Sequence, residues 1–169
     1  MHPIFISHLA LCYRAASEYD CLLMSALENF ALRMAVWIAA LGALIHLAAI
    51  IGGPAWFRFF GAPPFIVASA EQATWLAPVA SLIIAALMAT CAWYAAAVLG
   101  WLPRPFLHKT GLAVMAVICI ARALLLPILA WRLPGLWTAF EIIAALVWLL
   151  AGVGFAFGLR ALWRKPVSN

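Results

Sequence analysis

Residues 111–131 read GLAVMAVICIARALLLPILAW. Across these twenty-one positions the single charge is Arg122, in the middle of the run. A helix rising about 1.5 Å per residue needs about 20 mostly apolar residues to cross about 30 Å of hydrocarbon, because lipid offers the backbone no hydrogen bonds and each N–H and C=O must be satisfied within the helix. The stretch therefore predicts a transmembrane helix, and its lone arginine requires a partner inside the membrane.

Three further segments meet the same test: 31–51, ALRMAVWIAALGALIHLAAII, closed by Gly52-Gly53-Pro54; 75–99, with Pro78 in its tolerated first turn; and 138–159. The predicted fold is thus all-α, a polytopic integral membrane protein with four transmembrane helices in an up-down antiparallel bundle. Short links at 100–110 and 132–137 require antiparallel neighbours. The expected organisation is an N-terminal cytoplasmic segment over 1–30, a four-helix domain over 31–159 and a basic tail over 160–169. Met24 opens MSALENFALRM, a plausible natural start, so the residues before it are expected to be dispensable.

Composition supports lipid as the solvent. Of the 169 residues 69% are apolar and 9% charged, with a mean hydropathy of +1.13, against about 45–50% and about 25% in soluble domains. Such a chain is neither disordered nor acidic and solvating. The formal charge of +5 comes from scattered basic residues without the aromatic interleaving of a nucleic-acid surface, so no nucleic-acid partner is expected. The lipid bilayer is the expected partner, joined by a membrane-protein partner or a second copy of the chain.

Basic residues near the span ends set orientation. Arg14, Arg33, Arg104, Lys109, Arg160, Arg164 and Lys165 fall on one side and Arg58 and Arg132 on the other, seven against two. This asymmetry predicts both termini on the cytoplasmic side of the membrane. Trp75, Trp101, Trp131, Trp137 and Trp163 stand at the expected interfaces, where a ring with a polar edge is stable.

Helices in lipid associate through close packing of small residues, since the tails around them are as apolar as leucine. Gly154 and Gly158, with Gly152 and Ala156 nearby, offer such a surface on the fourth span, and Ala85, Ala89, Ala92 and Ala96 offer one on the second. Both are expected to pack within the bundle, with self-association as the alternative.

Most of the chain is chemically inert, yet Arg122 lies inside the third span, Glu141 inside the fourth and His46 inside the first. An ionised group at the bilayer centre costs about 2.5–3.5 kcal/mol on insertion scales, so these should face one another. Counted from the cytoplasmic helix ends, Arg122 lies about 17 Å deep, His46 about 22 Å and Glu141 about 27 Å, a spread that long side chains can bridge. Two roles are open to them. They form a buried interhelical pair with His46 hydrogen-bonded beside it, or they line an outward-facing polar pocket in which Arg122 contacts an anion and His46 or Glu141 handles a proton. Glu71 and Arg58 are candidate rim members.

The long outer link, GGPAWFRFFGAPPFIVASAEQAT over 52–74, is dense in aromatics and suits the headgroup interface, as a cap over the bundle mouth or a lid over the polar pocket. Pro63-Pro64 argues against a regular helix there. His46, Gly52-Gly53-Pro54, Phe60-Gly61-Ala62-Pro63, Ser69-Ala70-Glu71 and Trp75, and more loosely Arg122, resemble a group of small, uncharacterised bacterial four-helix membrane proteins. The resemblance covers roughly three quarters of the chain, from near Met24, and departs at Leu102-Pro103-Arg104-Pro105, where the group more often reads LPLLR. It implies the four-helix fold and a place in a bacterial inner membrane, and carries no activity.

Cys91 and Cys119 lie at similar depth but are expected to be inert packing residues, and Cys12, Cys21, His2 and His8 lack metal-ligand spacing. No nucleophile elbow, zinc-protease, phosphate-loop or dinucleotide motif occurs. An enzyme would have to work through the charged cluster alone, and neither a metal nor a cofactor is expected. The leading expectation is a non-catalytic accessory, stabilising or sensing membrane component; the alternative is a small-molecule binding or proton-coupled transport protein.

Overall fold

The first apolar stretch does not end at Gly52. Helix α1 (Pro3–Phe59) bends at Gly53, whose φ of 66° and ψ of −156° leave the helical region, and resumes at Pro54. Proline has no N–H to offer and its ring fixes a helical φ, so it suits the opening position of the resumed turn. At the other end of this span, residues 25–30, SALENF, are helical as well, since nothing in that run interrupts a helix.

The computed structural model describes residues 3–132 and 139–164, with side chains for 25–131, 139 and 141–164. The elements after α1 are α2 (Pro64–Glu71), α3 (Leu76–Val98), α4 (His108–Arg132) and α5 (Ala139–Arg164), with no strand among the described residues. Four helices are long and apolar enough to cross a membrane: Ser25–Phe59, Leu76–Val98, His108–Trp131 and Glu141–Arg164. The chain is an all-helical, four-span membrane protein. The side chains of Arg14, Arg132, Trp137, Lys165, Cys12, Cys21, His2 and His8 lie outside the described residues.

The outer link is more regular than its prolines suggest. Pro63 is extended, with φ −53° and ψ 146°, as a residue before proline tends to be, while Pro64 opens α2. The proline pair thus separates two short helices rather than excluding helix. Ser69 then ties α2 to α3: its Oγ accepts from the Ala77 N–H at 3.0 Å and lies 2.6 Å from Thr74 Oγ1. This satisfies one of the amides left over at the start of α3.

α1 packs along both α3 and α5, and α4 along α5, whereas α3 and α4 touch little although consecutive in sequence. The buried stripe of α4, Leu112, Ala116, Cys119, Ala123, Leu126 and Ala130, recurs at alternating four- and three-residue spacing, the repeat that keeps one seam against a partner helix. Gly154 turns toward α1, where a Cβ would lie 2.5 Å from the Ala31 carbonyl oxygen and 2.7 Å from Ala35 Cβ. Gly152 turns toward Cys119 and Ile120 of α4. The glycines of α5 therefore serve packing inside the chain on two faces. On α3, Ala85 and Ala96 are buried and Ala92 half-buried, but Ala89 is exposed. The buried face runs instead through Ala77, Ser81, Ala85, Ala95 and Ala96, because the 3.6-residue turn carries a strict four-residue spacing around the helix.

The main core joins all four spans at the level of Leu32, Ala35, Ala96, Leu112, Ala116, Ala151 and Phe155. A smaller one, Ala49, Phe57 and Ala77, seats the bend of α1 and α2 on the start of α3. The link between α3 and α4 is pinned by side chains: Trp93 Nε1 donates to the Pro103 carbonyl at 3.0 Å, Tyr94 OH donates to the Phe106 carbonyl at 2.8 Å, and His108 Nε2 lies 2.8 Å from the Tyr94 carbonyl.

Candidate functional site

α4 and α5 carry the two ionised groups that the sequence places deepest, and the structure brings them together. Arg122 Nη2 lies 3.6 Å from Glu141 Oε2. The Arg122 side chain is 45% exposed and that of Glu141 27%, so the pair lies on the flank of the α4/α5 seam rather than sealed within the bundle. Glu141 stands in the first turn of α5, nineteen residues before Arg160, a rise of about 29 Å that nearly equals the hydrocarbon thickness. Its carboxylate is therefore near the membrane boundary, and Arg122 reaches toward that boundary along the helix surface.

His46 does not join the pair. It is half-buried on α1, and among the described residues it has no hydrogen-bond or ion-pair partner. Helical geometry puts it on the same face as Ala35, three turns earlier, which is the face that meets α5 at Gly154. Arg58 and Glu71 form their own ion pair, between the resumed turn of α1 and the end of α2, with both side chains about half exposed. They clamp the outer link to itself and stand apart from Arg122 and Glu141.

Two shallow hollows lie on or beside that link. One, of about 350 Å³, opens among Ala55, Trp56, Phe59 and Phe60; the other, of about 210 Å³, lies under the Gly53 bend among Ile50, Phe57, Ala70, Ala73, Thr74, Ala77 and Pro78. Neither is lined by Arg122, Glu141 or His46. Among the described residues no three His, Cys, Asp or Glu side chains gather as metal ligands. Cys91 and Cys119 are free thiols packed in the same core, Cys119 buried and Cys91 partly so.

The most buried carboxylate among the described residues is one that sequence reasoning passed over. Glu28, 7% exposed, sits near the start of the first span and faces two arginines of α5: Arg160 Nη1 lies 3.6 Å from its Oε1 and Arg164 Nη1 lies 3.3 Å from its Oε2. In the sequence these arginines read only as orientation signals and Glu28 as part of a start segment. The signal was present in the spacing: Ala31, Leu32 and Ala35 follow Glu28 at three, four and seven residues, marking it as inward-facing, and Arg160 and Arg164 are one helical turn apart.

Comparison with protein-family models, curated proteins and solved structures finds no match to this chain.

Proposed function

We propose that this chain is a non-catalytic accessory or stabilising component of a bacterial inner membrane, oriented with both termini in the cytoplasm, whose ionised groups hold its own helices in place. The observation that carries the reading is the Arg122–Glu141 ion pair, which joins α4 to α5 and gives each of these charges a partner within the chain. Arg58–Glu71 and Glu28 with Arg160 and Arg164 follow the same pattern at the two ends of the bundle. Where the charge is buried, as at Glu28, desolvation offsets much of the attraction, so the effect is chiefly to fix one arrangement, and leaving that charge with no counter-charge is costly.

A second reading, binding or proton-coupled transport of a small amphipathic or acidic molecule, is favoured by His46, an ionisable side chain inside a span with no described partner.

Two measurements separate them. Under the accessory reading, Arg122→Ala and Glu141→Ala each lower accumulation in the membrane, the exchanged pair Arg122→Glu with Glu141→Arg partly restores it, and purification in mild detergent retains a protein partner. Normal accumulation of both single variants, with a small molecule retained by the wild type and lost in His46→Phe, would overturn it in favour of the second.

A further inference from the structure

We infer that the end of the bundle built from Glu28, Arg160 and Arg164 is a binding site for the phosphate of an anionic phospholipid. This site lies at the opposite end of α5 from Glu141, and its test does not depend on the Arg122–Glu141 pair. It begins from an imbalance: one buried carboxylate is met by two guanidiniums, which leaves an excess positive charge on a surface with no other described acidic side chain in ion-pair contact with either arginine.

The geometry turns this excess outward. Each arginine approaches Glu28 through Nη1, and their side chains remain 51% and 46% exposed. A guanidinium carries five N–H donors in a fixed plane, so most of the donors in this pair point away from the carboxylate. Arg160 and Arg164 are four residues apart on α5, which places them side by side on one helix face, a spacing at which two guanidiniums can straddle the oxygens of a single phosphate. Glu28, buried near the start of the first span, balances one of the two positive charges and leaves the other for an incoming anion.

The level is that of the headgroups. Trp163, between the two arginines in sequence, is 68% exposed, as an indole at the membrane–water interface would be, and Arg160 stands about 29 Å along α5 from Glu141. Leu27 and Phe30, exposed on the neighbouring turn of α1, provide apolar surface where acyl chains would lie. Basic pockets between transmembrane helices are favourable sites for lipid phosphates. The carbonyls at the end of α5 favour cations, which helps hold both arginines at this end of the helix before any lipid arrives.

The experiment uses the full chain in mild detergent, with thermal unfolding followed as phosphatidylglycerol, phosphatidylcholine or inorganic phosphate is added. Phosphatidylglycerol should raise Tm by several degrees, in the manner of any ligand that binds only the folded state, and phosphatidylcholine and inorganic phosphate at the same concentration should not. Arg160→Gln with Arg164→Gln should abolish the shift, while Arg33→Gln, an exposed arginine on a different face of α1, should keep it. Should the double variant fail to fold, Glu28→Gln decides: it lowers the starting Tm but frees both guanidiniums, so its response to phosphatidylglycerol should match or exceed that of the wild type. Equal responses to the two lipids, an equal response to inorganic phosphate, a full response in the arginine double variant, or loss of the response in Glu28→Gln would each overturn the assignment.

Discussion

Arg122 and Glu141 meet at 3.6 Å although their helices do not bring them level. Gly152 lies against Cys119 and Ile120, and this register sets Arg122 beside the turn around Leu149, about 12 Å along α5 from Glu141. The contact exists because both side chains are long and lean toward one another. Reach, as much as charge, should then limit it. Glu141→Asp, one methylene shorter, is expected to lose most of the pair, lowering Tm in detergent nearly as far as Glu141→Ala. If Glu141→Asp behaves like the wild type, the side chains are not near the limit of their span.

The close approach of α5 to α1 makes a graded prediction. A Cβ on Gly154 would sit 2.5 Å from the Ala31 carbonyl oxygen, whereas on Gly158 its nearest neighbour would be Leu32 Cδ1 at 3.0 Å. Backbone cannot yield without moving the helix, and the end of a leucine can. Gly154→Ala should therefore destabilise by about 1–3 kcal/mol, the range for overpacking a filled core, and Gly158→Ala by much less. Paired thermal melts of the two variants check the order, and equal effects would contradict the packing described.

Much of this was legible in the chain itself, for a physical reason. Lipid forces each span to be a long apolar helix, so 75–99 and 111–131 announce themselves within a few residues of α3 and α4. The Arg122–Glu141 contact followed from the same logic, since a charge in hydrocarbon must find its counter-charge. Which face meets which helix is not written so plainly. Almost every position is apolar, the usual contrast between a buried and a wet face is absent, and small residues are spread over several faces. For that reason the α3 stripe was misplaced at Ala89, His46 was assigned to a pair it does not touch, and Glu28 was overlooked at the margin of its span.

Ala73 adopts φ 52° at the end of α2, a left-handed conformation that its Cβ disfavours by about 1–2 kcal/mol. The amides of Ala73 and Thr74 fold back onto the carbonyls of Ala70 and Ser69, the same helix-ending pattern that Gly61 and Gly100 form after α1 and α3 with φ of 68° and 78°. Glycine is the residue best fitted to that position. Ala73→Gly is expected to raise stability by about 0.5–1 kcal/mol once the greater freedom of glycine in the unfolded chain is deducted. Gly100→Ala, making the opposite change where nothing crowds a Cβ, should lower it by a similar amount, so the difference isolates backbone strain.

Glu28 offers the sharpest asymmetry. Its carboxylate is buried and its Oε1 accepts no hydrogen bond among the described residues, while both partner arginines are about half in solvent. Losing the carboxylate lets two exposed guanidiniums rehydrate; losing both guanidiniums leaves a buried anion with no counter-charge. Breaking a buried pair from the side that strands a charge costs about 3–5 kcal/mol, and solvent around the arginines reduces the loss when the stranded groups are exposed. The double variant Arg160→Ala with Arg164→Ala should therefore be less stable than Glu28→Ala, and each single arginine variant should lie close to the wild type, because the remaining guanidinium still faces Glu28. Restoring the stability of the arginine double variant by adding Glu28→Leu would show that the stranded carboxylate was the cause. A triple variant no more stable than the double would place the cost in lost arginine packing instead.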